Sequence, residues 1–419
     1  MNILISGLIY LTIFLTTAAP ALSLLELAIG PVHIFLFEIP LAVLFFMSLI
    51  VLFIKGGIHR NKYLYLMGSI FFLMLLALFI GKMYLYDTTT IIKGLRPYIY
   101  YLSGWIVLVF GGKIVNLKYI LHVIIAGLII QGLWGGYLYL TKPLEIYLTG
   151  MRLPYRTGFW IPFVIFTMVY IIKDNVNKNY RVKIFIYISI IALLFVILIL
   201  NMNRTIWIAT LLMTLMYLIK YFSLKNVFKI ISAIIILFFL FFVTLNFSKY
   251  GQIAQKYLER RFYENTIGKA ALGSVWKNNR DRIYNSAFIA FLDHPLLGNG
   301  AGYTYSWKVI KMWTVDELID KNSTSIDISP LDILVKNGII GAIIFWYFLY
   351  VVWIEIIKYE QNSKILEIDL LIIKGLKFYF PFMVLMSFNL SILFGYPAAI
   401  TLSIIFSKIF LINEEYARE

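Results

Sequence analysis

Residues 184–222 read IFIYISIIALLFVILILNMNRTIWIATLLMTLMYLIKYF, and only Arg204 and Lys220 among them carry a charge. Two apolar runs, 184–200 and 204–222, flank a short polar break at Asn201-Met202-Asn203. A helix of about 20 residues crosses the roughly 30 Å hydrocarbon core of a bilayer. A β-barrel strand would instead alternate apolar and polar residues over about ten positions. These runs do not alternate, so they predict a membrane-crossing helical hairpin with an arginine at its tip.

The rest of the chain repeats that pattern. Of 419 residues, 61% are hydrophobic and 14% charged, against about 45–50% and about 25% in soluble domains. A soluble enzyme and a disordered chain are both excluded. With no cysteine, disulfides, iron–sulfur clusters and thiolate zinc sites are excluded too. The four histidines, His33, His59, His122 and His294, show no metal-ligand spacing. The net charge of +16 fits basic residues that hold loops in the cytoplasm, with a share left for an anionic substrate. No basic stretch interleaved with aromatics points to nucleic acid.

Twelve runs are candidate spans: 3–25, 32–54, 64–85, 97–112, 117–140, 158–172, 184–200, 204–222, 227–247, 331–357, 370–390 and 392–411. The first lacks a basic n-region and a cleavage site, so it reads as a span and not as a signal peptide. Alternate sets of short connections carry 14 and 7 Lys+Arg. The richer set belongs in the cytoplasm, which puts both termini there and the long connection 248–330 outside. The expected organisation is an all-α polytopic membrane protein. Residues 1–247 hold nine transmembrane helices and 248–330 an extracytoplasmic loop with short helices. Residues 331–419 hold three more transmembrane helices and a cytoplasmic tail. The loop opens with a helical pattern over 250–262, an interfacial helix by its spacing.

Several arginines sit where topology does not require them. Arg204 enters the eighth span, Arg152 and Arg156 flank Pro154, and Arg280 and Arg282 lie in the long loop. Guanidinium groups bind phosphate in a bidentate fashion and stay charged, so their convergence at the outer leaflet suits a lipid-linked pyrophosphate. For each alone, snorkelling to head groups accounts for it equally well. Asp327 precedes a span, where a carboxylate is placed to take a proton from a hydroxyl. Helix capping competes for that role, and Ser329 before Pro330 fits capping better. Asp332 reads as a first-turn carboxylate matched to the helix dipole. His294 is a tempting base in a turn-like run that suggests a structural job. Gly298, Gly300 and Gly302 resemble a phosphate cradle, but without a preceding strand a tight turn explains them better. Glu26 and Glu38 read as hydrogen-bonded within the bundle. Tyr98, Tyr100, Tyr101 and Trp105 read as an aromatic belt, and Lys374 and Lys377 as snorkelling residues.

The order of these features resembles the O-antigen ligase and O-antigen polymerase (Wzy-type) superfamily. Four patterns carry the resemblance: Asn203-Arg204-Thr205-Ile206-Trp207, Arg280-Asp281-Arg282-Ile283-Tyr284, Asp293-His294-Pro295-Leu296-Leu297-Gly298-Asn299-Gly300, and Leu331-x-x-Leu334 followed by Asn337-Gly338-Ile339-Ile340-Gly341. Residue-level similarity covers mainly 201–345. The resemblance implies a GT-C-like, metal-independent glycosyltransferase without cofactor in a bacterial inner membrane, its active site extracytoplasmic. Arg204 and Arg280, with Arg156 or Arg282, would hold the diphosphate of an undecaprenyl-diphosphate-linked oligosaccharide. Asp327 stands where ligases have a histidine base, which favours a polymerase extending a lipid-linked repeat unit. Ligation of finished glycan to a lipid or protein, or transport of the lipid-linked glycan, are the alternatives. Membrane lipids, a flippase and a chain-length regulator are the further partners implied. Tyr303, Tyr305, Trp307 and Trp313 are candidate sugar-stacking surfaces.

Overall fold

The computed structural model of the chain describes residues 2–18, 26–29, 32–55, 62–141, 158–178, 180–201, 204–221, 273–310, 318–324, 326, 328–361, 367–388, 393 and 398–418. The helices are α1 (Asn2–Ala18), α2 (Glu38–Lys55), α3 (Lys62–Met83), α4 (Thr88–Leu102), α5 (Gly104–Phe110), α6 (Leu117–Thr141), α7 (Trp160–Asn177), α8 (Arg181–Asn201), α9 (Arg204–Tyr221), α10 (Gly273–Asp293), α11 (Ser329–Gln361), α12 (Glu367–Ser387) and α13 (Ala398–Arg418). Two antiparallel hairpins join them, β1 (Glu26–Ile29) with β2 (Val32–Phe35), and β3 (Tyr305–Ile310) with β4 (Leu318–Ser323).

Eleven of the twelve apolar runs fall on helices; the ninth, 227–247, and the helical pattern at 250–262 lie outside the described residues. Six helices are long and apolar enough to cross a membrane: α2, α3, α6, α8, α11 and α12. The chain is therefore a helical multi-pass membrane protein, with six such helices among the described residues where twelve spans were expected. Shorter apolar stretches of helix cover Asn2–Ala18 and Thr205–Tyr217.

Three breaks have identifiable causes. The run 3–25 stops as helix at Ala18, and α2 starts only at Glu38, with β1–β2 between. Glu38 holds this corner. Its carboxylate accepts the Phe35 N–H at 3.0 Å, the Tyr100 hydroxyl at 2.6 Å and the Arg96 guanidinium at 3.2 Å. Glu38 is thus hydrogen-bonded within the bundle, as expected. The run 97–112 divides at Ser103 into α4 and α5. Lys55 donates to the Val109 carbonyl at 3.3 Å, a cation on an orphan carbonyl at the end of α5, and Lys408 donates to the Gly112 carbonyl at 2.7 Å. Tyr98, Tyr100 and Tyr101 do not form a lipid-facing belt. All three are buried, because each hydroxyl finds a partner inside: Asn337, Glu38 and the Leu393 carbonyl.

The third break lies inside α11. Gly338 has φ 63° and ψ −166°, a region open essentially to glycine alone. A continuous helix would pair the Ile339 and Ile340 amides with the Val335 and Lys336 carbonyls. Instead the Ile339 and Ile340 amides donate to Pro295 and Leu296 at 2.9 and 3.4 Å. The Val335 and Lys336 carbonyls accept the amides of Asn299 and Gly300 at 2.7 and 2.9 Å. The loop 295–300 thus replaces both halves of two missing helical bonds. The predicted tenth span, 331–357, is cut by this break. Residues 339–361 alone rise roughly 34 Å, enough to cross, while residues 329–337 form a separate short helix rich in buried polar groups.

Gly338→Ala places a methyl group against the Leu296 carbonyl and forces an alanine into a glycine conformation. We expect a loss of about 1–3 kcal/mol from the backbone alone, read as a lower unfolding midpoint of the detergent-solubilised protein. An unchanged midpoint would mean that the interlock does not form.

Candidate active site

The loop that enters α11 belongs to a small assembly of its own. α10 packs on β3 and α11. Ala287, Ala290, Tyr305, Ile326 and Val335 form a buried cluster separate from the main core. Ile283 and Phe291 pack against its edge, so the inward face of α10 is read from the spacing 283, 287, 290.

The loop 294–302 connects this assembly to the helices. Gly298, Gly300 and Gly302 have φ of 76°, 78° and 97°. The Ala301 amide donates to the Ala77 carbonyl of α3 at 2.7 Å, and a Cβ at Gly81 would collide with the Ala301 carbonyl. Asn299 is buried, its side chain donating to the Ala290 carbonyl at 2.7 Å and the Val335 carbonyl at 3.2 Å. The amides of Gly298, Asn299, Gly300 and Ala301 all donate to backbone carbonyls. The glycine series is therefore a tight turn, its amides engaged with the protein and not turned toward a phosphate.

Two polar clusters lie on either side. Asp332 is buried in the first turn of α11. It pairs with Lys336 at 2.9 Å, also buried, and accepts the Tyr305 hydroxyl at 2.9 Å. Its partners are these side chains as well as the helix dipole. Burial and the nearby Asp332 carboxylate push the Tyr305 hydroxyl well above its ordinary range, so it stays a donor. Tyr305 is fully buried, which removes it from the sugar-stacking candidates. Tyr303 remains partly exposed, edge-on to Tyr305 at 5.2 Å. On the outer side the His294 Nδ1 lies 3.0 Å from the Tyr84 hydroxyl. Both line a cavity of about 320 Å³ with Met83, Asp293, Leu296 and Leu297.

The predicted phosphate-binding residues fall on these elements as follows. Arg204 is the first residue of α9, which packs against α7, α8 and α12. Trp207, one turn on, donates its indole N–H to the Leu198 carbonyl at 2.6 Å. That bond satisfies an orphan carbonyl at the end of α8 and ties the start of α9, which begins at Arg204, to α8. Arg280 and Arg282 lie on α10. Position 280 precedes Ile283 by three and Ala287 by seven, on the inward face. Position 282 shares the outward face with the exposed Asn285 and Ile289. Arg156, Arg152, Asp327 and Trp313 lie outside the described residues, and so do the side chains of Arg204, Arg280, Arg282 and Trp307. Asp327 is bracketed by described neighbours. Ile326 is buried in the small cluster with Ala287 and Ala290. The Ile328 carbonyl accepts the Asp332 amide at 3.0 Å, the first bond of α11. Ile328 is therefore the capping residue, one position earlier than Ser329. The Ser329 hydroxyl instead accepts the Leu393 amide at 3.2 Å.

Sequence reasoning missed Tyr84 as the partner of His294 and Tyr305 as the partner of Asp332. Nothing local points to Tyr84, which lies 210 residues away. The Asp332–Lys336 spacing of four on a helix was a readable sign of an ion pair. Among the described residues no group of three or more His, Asp or Glu could hold a metal.

Residues 189–346 match the family model Wzy_C, described as O-antigen ligase. The match is to the O-antigen ligase and polymerase superfamily that the four motifs resemble, and it runs from α8 through the helix break. No curated protein matches the sequence.

Lys336→Met leaves the Asp332 charge buried without its cation. We expect a loss of about 3–5 kcal/mol in chemical unfolding, most of it regained when Asp332→Asn is added, since asparagine still accepts from Tyr305. A single variant as stable as the parent would contradict the buried pair.

Proposed function

We propose that the chain is a glycan polymerase of the O-antigen ligase and polymerase type, working on the extracytoplasmic face of a bacterial cell membrane. The donor is an oligosaccharide on undecaprenyl diphosphate and the acceptor a lipid-linked repeat unit. Arg204 and Arg280 hold the diphosphate and stabilise the charge that builds on it as the anomeric C–O bond breaks. Asp327 takes the proton from the acceptor hydroxyl as that oxygen bonds to the anomeric carbon. The lipid diphosphate leaves as a stabilised anion, so the scheme uses neither metal nor nucleotide.

One observation carries the reading. The inward face of α10, which holds position 280, and Ile326, which adjoins Asp327, share the small buried cluster. That arrangement supports a guanidinium and a carboxylate working on one substrate, and it favours Arg280 over Arg282. The tight Trp207 hairpin supports a fixed Arg204. The aspartate at position 327 favours polymerisation over ligation, because the ligase pattern has histidine there. Transport is disfavoured, since transporters keep ionisable groups near the bilayer midplane.

Purified protein incubated with a lipid-linked repeat unit should produce a ladder of longer lipid-linked glycans. Arg204→Ala, Arg280→Ala and Asp327→Asn should each lower the rate by about 100-fold or more, while Arg282→Ala changes it far less. Single transfer to a lipid or protein acceptor without a ladder would favour ligation. Full activity in Arg280→Ala would remove the diphosphate assignment.

A further inference from the structure

A second cavity, of about 810 Å³, opens between α7, α9, α11 and α12. Its lysine rim lies at the far end of α9 from Arg204, with Lys220 roughly 24 Å away along the helix axis, and the cavity shares no residue with the family motifs. Four lysines line it: Lys173 in the C-terminal half of α7, Lys220 at the end of α9, and Lys374 and Lys377 on α12. Two carboxylates stand against them, and neither is uncommitted. Asp174 pairs with Lys178 at 3.0 Å outside the lining, and Glu360 pairs with Lys377. The lining therefore keeps a positive excess. Lys374 is half-buried with no hydrogen-bond or ion-pair partner among the described residues. A snorkelling lysine would point its ammonium to open water, whereas this one faces a pocket.

The cavity is graded from charged to apolar. On α9, Leu212, Met216 and Lys220 recur at four-residue spacing, with the lysine at the helix end. On α12, which enters from that end, Lys374 comes first and Phe378, Phe382 and Leu385 follow deeper. Trp353, stacked on Phe380 at 5.4 Å, lines the α11 side. A cationic rim above apolar walls inside a membrane bundle matches an amphiphile with an anionic head and hydrocarbon tails. Lysine ammonium groups are phosphate binders, and basic pockets between transmembrane helices hold phosphate-bearing head groups.

We propose that this cavity binds a membrane lipid with an anionic phosphate head group, the phosphate against Lys374 and its neighbouring lysines and the acyl chains along Leu212, Met216 and Phe382. The site is separate from the proposed glycan-transfer centre and stands or falls independently of it.

The test uses the full-length protein in detergent, titrated by native mass spectrometry with short-chain phosphatidylglycerol and with phosphatidylcholine of the same chains. Phosphatidylglycerol should bind about tenfold or more tightly, and the Lys374→Gln, Lys220→Gln double variant should remove that preference. Glu360→Gln, which releases Lys377, should instead tighten phosphatidylglycerol binding, an effect that a folding defect does not produce. Equal binding of the two lipids, or an unchanged preference in the double variant, would overturn the proposal. Displacement of the lipid by millimolar inorganic phosphate would assign the pocket to free phosphate instead.

Discussion

The interlock between the broken helix α11 and the loop 295–300 is the constraint from which the rest of the site follows. Breaking a helix at Gly338 strands two amides and two carbonyls. A backbone group kept from water and left unpaired costs several kcal/mol. The loop meets all four with its own backbone, and its two positive-φ glycines, Gly298 and Gly300, let it approach closely enough to do so. The two sequence motifs, forty residues apart, are therefore one structural unit. The chain between them, β3 with β4, is an excursion anchored by Tyr305 on Asp332.

That unit fixes the geometry around it. Asn299 ties α10 to α11, Ala301 ties the loop to α3, and Asn337 receives Tyr98 from α4. α10 and the loop are thus held by hydrogen bonds to α3 and α11, and α11 in turn to α4. The position of α10 against the segment before α11 follows from this, and the proposed chemistry relies on it. The opposite ends of α7 and α9 are organised differently. There Lys220 ends α9, where the dipole favours a cation, and with Lys173, Lys374 and Lys377 it borders an open cavity in place of a packed core.

Much of the helical scaffold was legible, because long apolar runs admit few other structures in a bilayer. The departures have physical reasons. Residues 32–37 look like the start of a span, yet Glu38 pulls them into a hairpin through a bond to the Phe35 amide that no pattern encodes. Gly338 sits in an unbroken helical pattern, and one glycine in such a pattern is ordinarily tolerated. Only the distant loop makes it a break. Tyr98, Tyr100 and Tyr101 have the composition of an interfacial belt, but their partners lie on other segments. The candidate site was legible as residue types and order: the motifs, the turn at the glycines and the bonded Glu38 were read from sequence. The pairing of Tyr84 with His294 and the lysine cavity arise from tertiary packing alone.

The interlock also bears on how the chain assembles. Synthesis delivers residues 295–300 some forty residues ahead of the carbonyls and amides they will engage. Residues 339–361 are long enough to enter the bilayer unaided, while 329–337, with Asp332, Lys336 and Asn337, gain little by doing so. Membrane insertion and docking of the loop are therefore separable events, the second waiting on the first. A chain halted between them would carry a finished span beside a loop whose backbone groups are still unpaired.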